Sequence, residues 1–100
     1  MSSPARFLRL QDMLLAKTSL EKVKMHIEER KERTVFRWAQ RELGEFLKKF
    51  SKDERLITYI DEIDAGLRTE NYEKVLEGVS RSLATIDEML QHEYTDMANS

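Results

Sequence analysis

The chain has 100 residues, 40% of them hydrophobic and 36% charged, with three glycines, one proline and no cysteine. That composition supports one compact core and excludes a disulfide framework, a zinc–thiolate site and a thiol nucleophile. The formal charge of −2 is what remains of +5 over residues 1–50 and −7 over residues 51–100, so either the halves fold against each other, each in the other's field, or one half meets a charged partner, the first being the favoured expectation. The longest apolar run, Met13 to Ala16, has four residues, against the ~20 that a membrane span needs. The first residues hold no secretory apolar region, and a cytoplasmic protein is expected.

From Pro4 to Gly44 no residue breaks a helix, and Leu, Glu, Lys, Arg, Met, Ala and Gln dominate. The first helix is expected just after Ser3, because Pro4 fits the first helical position, where its missing N–H costs nothing. It places Phe7, Leu10, Met13 and Leu14 on one face, flanked by Leu8 and Leu15. The apolar stripe then moves to Ala16, Leu20, Val23 and Ile27. Thr18 and Glu21 match a capping box at that switch, which predicts a kink or a new start. The run Glu28 to Thr34 has no apolar residue. It is either a solvated helical span or a connection, and its lack of turn formers favours helix.

Phe36, Ala39, Leu43, Phe46 and Phe50 alternate spacings of three and four, a heptad-like seam. Ser51 and Glu54 form a second capping box and predict the next start. Leu56, Ile60, Ile63 and Leu67 make a third stripe. Gly66, Arg68, Thr69, Glu70 and Asn71 read as its exit, with Thr69 or Asn71 as the next cap. The last stripe is Tyr72, Leu76, Val79, Leu83, Ile86 and Leu90, with Met97 in register. The expected fold is all-α, a small bundle of three to four amphipathic helices, one of them running over about 19–50. The domain spans residues 1–97, and residues 98–100 are a frayed tail.

A helix over 19–50 would be about 48 Å long, more than a core of 100 residues can cover. It either breaks near 28–34 or projects and recruits a partner, which makes a homodimer one expected outcome.

Arg30, Arg33, Arg37, Arg41 and Lys48 share one side of that helix, opposite the Phe36–Phe50 seam, and Trp38 borders them. Guanidinium groups suit bidentate recognition of phosphate or carboxylate, and an indole can stack on a base. These six residues are the candidate partner-binding set. The same charges also read as a solvated face, and Trp38 as core. A pI near 5.7 argues against a dedicated nucleic-acid binder.

Asp61, Glu62 and Asp64 lack the Glu-x-x-His pattern of a di-iron bundle. His26 and His92 supply too few ligands for zinc, even with Glu88 one turn before His92. No serine sits in a nucleophile elbow, and no glycine-rich loop cradles a phosphate. No catalytic residue, cofactor or metal is therefore expected. The amphipathic start suits a core or partner-groove helix better than a membrane surface. The function expected is a non-enzymatic protein–protein interaction module, such as an adaptor, an assembly chaperone or a regulatory subunit, working through helix packing. The alternative is a nucleic-acid-associated regulator using the arginine stripe.

Overall fold

The computed structural model describes residues 4–29 and 32–99, and among these it contains helices and no strand. The helices are α1 (Pro4–Glu29), α2 (Thr34–Glu42), α3 (Gly44–Lys49), α4 (Ile57–Arg68) and α5 (Tyr72–Ala98). α2 and α3 follow each other across Leu43, where Leu43 N–H donates to Ala39 O and Leu47 N–H to Leu43 O. Together they act as one bent rod, and the chain is an up-down-up-down four-helix bundle, 47 × 24 × 18 Å in extent.

Of the two outcomes weighed for a helix over 19–50, the break near 28–34 is the one found. α1 ends at Glu29 and the chain reverses, with Val35 N–H bonded to Glu32 O and Phe36 N–H to Arg33 O. The physical reason is burial. Residues 28–34 have no apolar side chain to seat, whereas turning back lays the Phe36–Phe50 seam along α1. The projecting helix that argued for a homodimer is the outcome not found.

Neither predicted capping box forms. The Thr18 hydroxyl donates to Leu14 O inside a continuous α1, and the Ser51 hydroxyl donates to Lys48 O at the end of α3. α4 starts instead at Ile57, after a turn in which Asp53 accepts from Arg55 N–H. The cap before α5 is Asn71, whose side chain accepts from Lys74 N–H at 3.1 Å. The turn ahead of it is a Schellman-type closure. Asn71 N–H reaches Gly66 O, and Glu70 holds the left-handed position (φ 52°) that usually falls to glycine.

The core is a single cluster. Leu20, Val23, Ala39, Leu43, Leu56, Ile63, Val75, Val79 and Ile86 are wholly buried, and Phe36, Phe46 and Phe50 fill the space around them. Every residue of the 36–50 and 56–67 seams is buried. In α5 the buried strip also takes in Val75, Gly78, Ser82 and Met89, so it is wider than its heptad positions alone. Gly66 and Gly78 mark where α4 and α5 come closest: a Cβ on Gly66 would stand 2.8 Å from Val75 Cγ2.

The charge asymmetry is used inside the molecule. Among the described residues, every ion pair that crosses from the first half to the second joins a cation of the first to an anion of the second. These are Arg6 with Glu93 and Asp96, Arg9 with Asp53, Lys17 with Asp87, and Arg33 with Glu70. Lys17–Asp87 and Arg33–Glu70 lie open to water and are screened by it, while Glu93 and Asp53 are partly covered.

Candidate interaction surface

α1 carries two apolar stripes, and the bundle covers one of them. Met13, Ala16, Leu20, Val23 and Ile27 face the core with Leu10 packed beside them, an unbroken helical series. Phe7 and Leu14, expected on the same face as Leu10 and Met13, point outward with Leu8 and Leu15. Their exposures are 57% for Phe7, 62% for Leu8, 42% for Leu14 and 56% for Leu15. On an ideal helix these four fall within an arc of about 120° centred on Gln11. Thr18, also exposed, continues the same face by one turn.

Charge is absent from this arc, although the stretch is rich in it. Each ionisable side chain from Arg6 to Lys17 is drawn sideways into the molecule. Arg6 binds Glu93, Arg9 reaches Asp53 at 3.7 Å, Asp12 accepts from Lys49 at 2.9 Å, and Lys17 meets Asp87 at 2.9 Å. The hydrogen bond from Lys17 to Asp87, and the one from Lys49 to Asp12, each raise the lysine's pKa above its ordinary value. Asp53 is mostly covered, and burial alone would raise its pKa. Hydrogen bonds from the Arg55 side chain and backbone, with the charges of Arg55 and Arg9, hold it below the usual carboxylate range. The outer face of the first half of α1 is thus uncharged and apolar by construction. A contiguous exposed apolar patch, where it is large, is the feature that marks an interaction site on an otherwise polar surface.

The arginine set is brought together only in part. Arg30 lies outside the described residues. Arg33 precedes α2 and its Nε donates to Glu70 Oε2 at 2.8 Å, bracing the α1–α2 turn against the α4–α5 turn. Arg37 and Arg41 stand exposed one turn apart on α2, and Lys48 is exposed on α3; among the described residues none of the three has an ion-pair partner. Trp38 lines one shallow pocket with Arg41. It is half-buried against the core with its ring centroid 4.5 Å from that of His26, while His26 Nδ1 lies 2.8 Å from Lys22 O.

Among the described residues no group of three His, Asp or Glu side chains is placed to hold a metal ion, and no helix is long and apolar enough to cross a membrane. Asp64 pairs with Arg68 one turn on, and His92 with Asp96 rather than with Glu88. No protein-family model, curated protein or solved structure matches the chain.

The outward residues of α1 were legible as apolar but not as uncovered. The available signal was the double set of spacings: one helix with two apolar stripes can bury both only if two neighbours flank it on opposite sides. α2–α3 and α5 sit on adjoining sides of the inner stripe instead.

Proposed function

We propose that the protein is a non-enzymatic helix–helix interaction module whose contact surface is the outer face of the first half of α1. One observation supports this above the others: Phe7, Leu8, Leu14 and Leu15 remain exposed while each charge of α1 from Arg6 to Lys17 is taken into an intrachain pair. A partner for such a face is itself an apolar helix or groove. Adaptor, assembly-chaperone and regulatory-subunit roles all work this way, and a cytoplasmic setting accords with the lack of cysteine.

Arg37, Arg41 and Lys48, exposed and, among the described residues, without an ion-pair partner, favour a second reading as a nucleic-acid-associated regulator. It is the weaker one, because Arg33 is held by Glu70 and Trp38 is occupied by His26. A paired substitution separates the two. In affinity capture, Leu8→Glu with Leu15→Glu is expected to abolish partner retention, and Arg37→Ala with Arg41→Ala to leave it intact. Retention that survives the first pair and fails with the second, with affinity for DNA or RNA that drops steeply between about 50 and 200 mM salt, would reverse the assignment.

A further inference from the structure

The apolar face of α1 has a symmetry of its own. Phe7, Leu8, Leu14 and Leu15 are placed in mirror fashion about Gln11: residue 7 is as far from it as residue 15, and residue 8 as far as residue 14. A two-fold axis between the Gln11 residues, perpendicular to the helices, reverses height and keeps the side of the seam, so it brings Phe7 of one copy against Leu14 of the other and Leu8 against Leu15. The two Gln11 amides meet at the axis, where each can donate to and accept from the other. Self-complementarity of this kind is what an isologous dimer requires.

Charge decides the direction of pairing. Beyond Thr18 the outer face becomes mixed, with the charged Glu21, Lys22 and Glu29 around the exposed Met25. Two copies side by side in parallel would set Glu21 against Glu21 and Lys22 against Lys22. An antiparallel pair centred on Gln11 overlaps only from Pro4 to Thr18, so those residues lie outside the contact, and the helix dipoles oppose favourably. A second copy is also a partner that presents the same uncharged face.

We infer that two copies of this chain pair antiparallel through the outer faces of α1, with the two-fold axis at Gln11. This rests on the same face as the proposed function and adds the identity and register of the occupant. Four large side chains per copy make a small interface, so the dimer is weak and concentration-dependent.

Because the chain has no cysteine, single cysteines report the register cleanly. Under mild oxidation Gln11→Cys is expected to form a covalent dimer, since residues at the axis approach within disulfide range. Met25→Cys, exposed on the same helix but outside the overlap, should stay monomeric. A charge exchange tests the pairing independently of the bond. In sedimentation at rising concentration, Leu8→Glu and Leu15→Lys should each abolish association. The double variant should restore it, because residue 8 faces residue 15 of the other copy. Equal cross-linking at positions 11 and 25, or a double variant as monomeric as the singles, overturns the inference. So does an unmodified chain that stays monomeric but binds anionic vesicles through Leu8 and Leu15. If the chain is monomeric yet Leu8→Glu with Leu15→Glu still abolishes capture of another protein, the self-pairing fails and the interaction surface stands.

Discussion

Gly78 and Ile63 meet where α4 and α5 come together: a Cβ added to Gly78 would stand 2.7 Å from Ile63 Cγ1 and 3.1 Å from the Tyr59 carbonyl oxygen. Two wholly buried surfaces touch there, so neither side has room to withdraw. Gly78→Ala should therefore destabilise the fold by about 1–3 kcal/mol through overpacking. Gly44, which has nothing within 4 Å of the same added atom, is the control. Gly44→Ala should be neutral or stabilising by up to about 1 kcal/mol, since alanine restricts the unfolded chain. Chemical denaturation of both variants checks the contrast.

Ser82 is wholly buried in α5, and its hydroxyl has no hydrogen-bond partner. A hydroxyl stripped of water and left unbonded opposes folding. Ser82→Ala, which removes that oxygen and little volume, is expected to stabilise the protein by about 1 kcal/mol. A raised denaturation midpoint with an unchanged slope would show it.

Asp53 ties the α3–α4 turn to Arg55 and to Arg9 of α1. Its pKa in the folded chain lies below the ordinary 3.8. The stability it adds is thus complete above 3.8 and is lost as the pH falls through the lower folded value. Asp53→Asn should cost on the order of 1 kcal/mol at neutral pH, where the natural chain has the charge-assisted bonds. It should also flatten the acid limb of the stability profile. Thermal unfolding from pH 7 to pH 2 reads both effects.

Asn71 caps α5, the longest helix, through its bond from Lys74 N–H. Asn71→Ala should cost about 1 kcal/mol, and Asn71→Asp, which keeps an acceptor oxygen, close to nothing. Circular dichroism melts of the two variants side by side make the comparison.

The bundle was legible in the sequence wherever an apolar stripe had a single possible face. Phe36 to Phe50 and Leu56 to Leu67 reach the core at every position of their seams, and Asn71 caps as its residue type predicts. Local chemistry misled at Thr18 and Ser51, whose hydroxyls take carbonyl oxygens one turn back instead of capping. The break after Glu29 was undecided for a physical reason. Good helix formers favoured continuing, while the antiparallel packing of Phe36 and Phe46 on α1 favoured turning back, and tertiary burial outweighs propensity. The candidate surface was half legible. Phe7, Leu8, Leu14 and Leu15 stand out as apolar in the sequence, but which stripe of α1 is covered depends on where α5 and α3 dock. That docking brings together Arg6 and Glu93, Lys17 and Asp87, and Asp12 and Lys49, pairs separated by at least 37 positions.

The central claim is that this protein works through the outer face of α1 and not through its arginines. Residue-resolved amide shifts, recorded on the isotope-labelled chain as its concentration is raised and again on adding a captured partner, test it most directly. Perturbations gathered over Phe7 to Thr18, with Arg37 to Lys48 unmoved, are the predicted result. Shifts confined to Arg37, Trp38 and Arg41, with α1 silent, would contradict it.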